Sequence, residues 1–132
     1  RQRRCGWLDL VALKYAVRVS GITHLAITKL DVLSGLGTLK VCTKYRTGGK
    51  MHDEFPLLQT HFHHAKPVFE ELRGWNEDIR DCETWQDLPE AARDYVQFIA
   101  EFTKTRVKFI ATGPGRDETI ILPRSIGRGG AV

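Results

Sequence analysis

Lys29 and Asp31 stand two residues apart at the end of a short apolar run, Leu25-Ala26-Ile27-Thr28. An ionised Asp is an acceptor-only fork that can take two neighbouring donors at once. The ring N1–H and the exocyclic amine of guanine form such a pair. Adenine has an unprotonated N1 and no amine there, so the same carboxylate would be left desolvated and unpaired. A site built to hydrogen-bond a group rejects an analogue lacking it by about four to five powers of ten in favourable cases. Lys29 can lay its apolar stem over a purine face while its ammonium stays in water. The plain alternative is a strand end carrying two solvated charges.

The run itself reads as a strand buried on both faces of a parallel sheet. In open α/β sheets ligands bind beyond the carboxyl ends of such strands, where Thr28, Lys29 and Asp31 would lie. In that setting the pattern Thr-Lys-x-Asp is similar to the guanine-reading motif of GTP-binding proteins, although four-residue patterns also recur by chance. Ala111-Thr112-Gly113-Pro114-Gly115-Arg116 repeats the arrangement: a strand end, an abrupt turn and small residues. Gly113 allows close backbone approach, so amides here could donate to a guanine carbonyl oxygen. Taken alone, this loop is more simply a turn between strands. No phosphate-cradling Gly-x-x-x-x-Gly-Lys-Ser/Thr occurs, since Gly49-Lys50 lacks the earlier glycine and precedes Met51. A chain that reads guanine without cradling phosphates holds half of a nucleotide site.

Arg1, Arg3 and Arg4 carry guanidinium forks that match phosphate or carboxylate groups, with a solvated terminus as the plainer reading. His52, His61, His63 and His64 invite a metal, but their spacing fits no zinc template and Cys5, Cys42 and Cys82 are remote from them. A polar loop is the default there. Three widely spaced thiols without a Cys-x-x-Cys pair suit a reducing cytoplasm.

The 132 residues make one domain or a piece of one, with 42% hydrophobic and 27% charged residues as in ordinary globular proteins. The formal net charge of +4 comes from the ends, where Arg1, Arg3, Arg4, Arg124 and Arg128 lie. Without those five, 15 basic residues face 16 acids, a net of −1. The body is therefore not a basic nucleic-acid surface, and RNA binding through the leading arginines would have to show steep salt dependence. No apolar run is long enough to span a membrane, and the first residues lack the apolar core of a signal peptide. With no initiator Met, the sequence reads as starting partway through a longer protein.

Several elements must position these residues. Leu8, Val11, Ala12, Tyr15, Ala16 and Val19 predict a helix from Trp7 to Val19, with Asp9 in its first turn and Gly21 just past its end. Thr38 to Tyr45 alternates, and Gly48-Gly49 offers a hairpin turn into Met51–Phe55. Pro56 to Asp87 reads as loop-rich. Asp87 and Pro89 predict the start of a second helix with an apolar stripe of Ala92, Tyr95, Val96, Ile99 and Phe102. Strands are expected at Arg106–Ala111 and near Thr119–Leu122, followed by a mobile tail over residues 124–132. The expected fold class is α/β: part of a mostly parallel sheet flanked by helices, with a small antiparallel excursion.

Over almost its whole length the sequence resembles the C-terminal portion of the adenylosuccinate synthetases, ligases of purine biosynthesis. The resemblance rests on Arg1-Gln2-Arg3-Arg4-Cys5-Gly6-Trp7-Leu8-Asp9, residues 25–33 (LAITKLDVL), Lys40-Val41-Cys42, Lys66-Pro67-Val68-Phe69-Glu70-Glu71-Leu72, Gly74-Trp75, Leu88-Pro89, Thr112-Gly113-Pro114, Arg116 and Glu118-Thr119. It implies a reaction of GTP, IMP and L-aspartate that gives GDP, phosphate and adenylosuccinate, with Mg²⁺. In that family the IMP 6-oxygen is phosphorylated, and the aspartate amine then displaces the phosphate. By resemblance, Arg1, Gln2 and Arg3 match the IMP and aspartate contacts, and Arg3 also lies near GTP. Lys29, Leu30 and Asp31 match the guanine-reading segment, and Ala111, Thr112 and Gly113 the second guanine loop.

Two residues depart from the family pattern: Ala111 stands where Ser is frequent, and Gly115 where Asp is usual. The resemblance places the phosphate loop, catalytic residues and Mg²⁺ ligands in an N-terminal part absent from this sequence. It thus implies a cytoplasmic homodimer as the complete enzyme and an isolated chain that does not turn over. The alternative is a non-enzymatic guanine-nucleotide binding module.

Overall fold

A computed structural model describes residues 2–56 and 59–127, the side chains of residues 59 and 61 excepted. Arg1 and residues 128–132 of the expected tail lie outside the described residues. The chain runs β1 (Leu8–Asp9), α1 (Leu10–Ser20), β2 (His24–Ile27), a 3-10 turn (Asp31–Leu33), β3 (Thr38–Thr47), β4 (Lys50–His52), α2 (Gln59–His64), β5 (Lys66–Arg73), a second 3-10 turn (Trp85–Asp87), α3 (Glu90–Thr103), β6 (Arg106–Ala111) and β7 (Thr119–Ile126).

These strands form two mixed sheets. In the first, β3 is central: β5 pairs with it antiparallel from Thr38↔Arg73 to Arg46↔Lys66. Parallel β1 (Leu8↔Val41) and antiparallel β4 (Tyr45↔His52) pair with it as well. The second sheet has the order β2-β6-β7, parallel between β2 and β6 and antiparallel between β6 and β7. The α/β class is as expected. The antiparallel share, however, is well beyond a small excursion, because β5 is a full strand where loop was expected. Its charged, exposed run Glu70-Glu71 hides the alternation that marks a strand, and Pro67 near its start is tolerated at a sheet edge.

Helix α1 starts three residues later than expected, since Leu8–Asp9 pairs with β3. Asp9 is its N-cap and accepts the Ala12 N–H at 3.0 Å. Gly21 closes the other end in the left-handed region (φ 63°) and donates to Val17 O. The buried stripe is Leu10, Val11 and Val17, and Val19 is exposed. Helix α3 buries Ala91, Ala92, Tyr95, Val96, Ile99 and Ala100 against α1, β5 and β6. Its expected cap does not hold: Pro89 occupies the N-cap position. Asp87 instead completes a capping box with Thr84 around the preceding 3-10 turn. The core joins both sheets through Leu10, Leu39, Val41, Trp75, Ile79, Leu88, Val107, Ile110, Ile120 and Leu122.

Strand β2 is not buried on both faces. Leu25 and Ile27 are half-buried against the core, while His24 and Ala26, on the opposite face, are exposed; β2 is also the outer strand of its sheet among the described residues.

Candidate functional site

Parallel pairing fixes where the two turns lie. Ala26 pairs with Phe109 and Ile27 with Ile110. Residues 28–31 and residues 111–113 therefore leave the second sheet side by side, beyond the carboxyl ends of adjacent parallel strands. Ligand loops cluster at that end of α/β sheets.

The first turn is made by Lys29, which adopts a left-handed conformation with φ 62°. A non-glycine residue there carries local strain of order 1–3 kcal/mol that the surrounding packing must hold, a feature that clusters at ligand sites. The packing that holds it is Leu30, which is 1% exposed and belongs to the core. Asp31 then opens the 3-10 turn, half-buried, while Lys29 stays exposed. Of the expected guanine-reading residues, Lys29 and Asp31 face outward at least in part. The Leu30 side chain does not, so it contributes to the fold.

The second turn is closed from within. The Thr112 N–H donates to Glu118 O at 2.7 Å, its Oγ1 donates to the same oxygen at 3.3 Å, and the residue is fully buried. Thr112 therefore shapes the turn instead of presenting donors. Gly113 leaves room for the Glu118 side chain: a Cβ there would lie 1.3 Å from Glu118 Oε2, so the carboxylate would have to move. The Glu118 carboxylate lies over that glycine and is gripped by Arg80, Nε to Oε2 at 3.1 Å and Nη2 to Oε1 at 3.3 Å. This pair holds the Arg80 guanidinium even more firmly protonated than usual, with Glu118 the main cause, Asp78 adding to it and Asp31 contributing least. Arg80 thus lies within the field of both turns. Sequence reasoning missed it, since a lone Arg in a loop carries no spacing signal.

Gln2 and Arg3 are exposed in the irregular segment before β1. The residues that follow them, Cys5, Gly6 and Trp7, line a shallow apolar groove with Val32, Leu33 and Leu36, so the lead-in runs beside the Asp31 turn. A separate apolar cavity of about 220 Å³ lies beneath β2, lined by Leu13, Leu25, Ile27, Thr28, Leu30 and Tyr95 among others. Among the described residues no three of His, Cys, Asp and Glu come together in one cluster. Nor is any described helix long and apolar enough to cross a membrane.

Fold and turns together define an α/β protein with two loops converging at the carboxyl ends of neighbouring parallel strands. The family model for adenylosuccinate synthetase matches residues 1–120, and the chain belongs to that family. It is 52% identical over 122 residues to an adenylosuccinate synthetase from Corynebacterium glutamicum, a match covering 92% of this chain and 28% of the relative. Against the Frankia casuarinae enzyme the figures are 50%, 92% and 29%. The fully ligated adenylosuccinate synthetase structure from Plasmodium falciparum superposes with a TM-score of 0.85 at 36% identity, covering 92% of this chain and 30% of that one. The chain thus spans less than a third of the length of these relatives. The matches show the family and that share; they do not show the C-terminal placement expected from the residues.

Proposed function

We propose that this chain supplies the guanine-recognition part of a GTP-dependent adenylosuccinate synthase, which ligates IMP and L-aspartate in the purine pathway. The observation that carries this reading is the parallel register Ile27↔Ile110, which sets the Asp31 turn beside the Gly113 turn. In this reading the Asp31 carboxylate accepts the N1–H and amine of the ring. The Lys29 stem lies over its face. With the Thr112 amide engaged inside its own turn, the backbone at Gly113 faces the ring's carbonyl oxygen.

Arg1, Gln2 and Arg3 are assigned to the IMP and aspartate side, with Arg3 also near GTP; the groove shared by Cys5–Trp7 and Val32–Leu36 supports the Arg3–GTP part by bringing the lead-in beside the Asp31 turn. Mg²⁺, the phosphate cradle and the groups that move the phosphoryl are assigned to the remainder of the enzyme. The isolated chain should accordingly not turn over, and the complete enzyme should be a cytoplasmic homodimer. Family membership favours this reading over a non-enzymatic guanine-nucleotide module.

The test is Asp31→Asn in the complete enzyme. The expected result is a KM for GTP raised by about two powers of ten, with a much smaller change for IMP and weakened rejection of ATP and ITP. Equal changes for every substrate would reject guanine reading by Asp31. Calorimetry of the isolated chain with GDP and ADP separates the alternative, which requires firm, GDP-selective binding.

A further inference from the structure

A third segment bridges the two turns. Gly35 donates its N–H to Trp75 O at 2.8 Å, Gly74 donates to Gly37 O at 2.7 Å, and the Trp75 indole N–H donates to Ser34 Oγ at 2.9 Å. Gly74 sits so close that a Cβ would come within 2.5 Å of Gly37 O. Ile79, fully buried, pins the end of the segment to the core. Residues 74–79 are therefore fastened to the stretch that directly follows Asp31. The next residue, Arg80, reaches the other turn and forks onto Glu118. Glu118 in turn donates its N–H to Gly115 O at 3.1 Å and accepts the Thr112 N–H. A continuous path of hydrogen bonds and packing thus runs from the Asp31 turn through Trp75 and Arg80 to Gly113.

We infer that Arg80 is a positioning residue for guanine recognition, its fork on Glu118 holding the 112–118 turn against the Asp31 turn so that both meet one ring. This rests on the guanine reading proposed above. Sheet register aligns the ends of β2 and β6, but a turn projecting beyond them keeps loop freedom unless something outside it holds it. A bidentate arginine–carboxylate pair adds geometric definition as well as attraction. The Arg80 side chain is 52% exposed and Glu118 25%, and pairs that wet add little to global stability, so their effect falls on local geometry.

The experiment compares Arg80→Met, Glu118→Gln, the double variant and Arg80→Lys in the complete enzyme, with Asp31→Asn alongside. Each single change should raise KM for GTP about fivefold relative to KM for IMP, and the double should be no worse than either, as expected of two residues acting as one unit. Arg80→Lys should recover only part of the loss, since an ammonium is a point charge without a fork. The inference is overturned by an unchanged KM for GTP in both singles, by effects that simply add in the double, or by full recovery with Lys. An equal rise for all substrates with a lowered melting temperature overturns it as well. If Asp31→Asn raises KM for GTP and Arg80→Met does not, the positioning role alone fails. If Asp31→Asn has no effect, the guanine reading fails first.

Discussion

Gly113 and Glu118 exclude a side chain from one another's space: a Cβ on Gly113 would lie 1.3 Å from Glu118 Oε2 and 2.4 Å from its Cδ. Gly113 has no left-handed φ, so the demand for glycine here is one of room and not of backbone conformation. The atoms in the way are the end of a flexible side chain.

Gly113→Ala should therefore let the fold stand while displacing the carboxylate from Arg80. Loss of a wet ion pair costs about 0–1 kcal/mol, so the melting transition should barely move. KM for GTP should rise by about tenfold, because the methyl and the displaced carboxylate both intrude where the ring must approach. Glu118→Ala in the Gly113→Ala background separates the two: it removes the clash but also the fork on Arg80, so KM for GTP should fall back only to about the fivefold rise expected of Glu118→Gln, and a value that stays at about tenfold would assign the loss to the methyl. Steady-state kinetics beside a thermal melt checks this.

Lys29 gives the opposite balance. Its φ of 62° costs an L-residue about 1–2 kcal/mol relative to the right-handed region, and glycine escapes that strain while losing more chain entropy on folding. Lys29→Gly should thus leave stability level or raise it by up to about 1 kcal/mol, while the loss of the apolar stem weakens GTP binding. Lys29→Ala keeps the strain and loses the stem, so it should be less stable than the glycine variant and equally poor in KM for GTP. Denaturant melts of the two variants decide between them.

What was legible in the sequence follows from which signals are local. The 3.6-residue stripe of Tyr95, Val96 and Ile99 marks α3 because one face of it is truly buried. Gly48-Gly49 marks its hairpin because both residues take positive φ (56° and 79°), as a two-residue turn requires. Strand β2 was placed correctly but its burial was not, since Leu25-Ala26-Ile27 is apolar whichever face is covered. The start of α1 was placed three residues too early: Leu8–Asp9 forms β1, Asp9 caps the helix instead of lying within it, and the buried face includes Leu10 and Val17 beside the expected Val11. The candidate site shows the same division. Asp31 and Gly113 are readable because their chemistry is intrinsic. Arg80 gains a role only through a partner 38 residues away, and the burial of Leu30 and Thr112 depends on contacts far along the chain.

Asp9 ties a helix to a sheet. One of its carboxylate oxygens caps Ala12, and the other accepts the Tyr45 hydroxyl from the middle of the first sheet. Burial, then the hydrogen bond to Asp9 and its negative charge, push the Tyr45 phenol well above its ordinary value of 10.0. A pKa raised on folding favours the neutral phenol, so its contribution is complete below about pH 10 and is lost as pH rises through the folded value. Stability should thus fall progressively above pH 10. Tyr45→Phe should flatten that fall while costing about 1–3 kcal/mol at neutral pH from the lost bond to a charged acceptor. Asp9→Ala should cost more than Tyr45→Phe, since it removes the cap as well, worth a further ~1 kcal/mol. Urea titrations at pH 7, 9 and 11 check both signs.

Cys42 shares that neighbourhood. It is buried beside Val11 and Tyr45, and burial followed by the Asp9 charge pushes its thiol upward. Cys82 is pushed up by partial burial and then by Asp87, Asp81 and Asp78, while Cys5 lies exposed. The thiolate is the reactive form, so maleimide at pH 7.5 should label Cys5 first, Cys82 slowly and Cys42 only as the fold opens. Asp9→Ala should speed labelling of Cys42 by removing the charge that disfavours its thiolate and the cap that holds α1 over it. Cys82, whose acids are elsewhere, should keep its rate. Time-resolved peptide mass spectrometry reads all three thiols at once. Equal acceleration at Cys42 and Cys82 would mean that Asp9 acts through global stability and not through the local charge and cap.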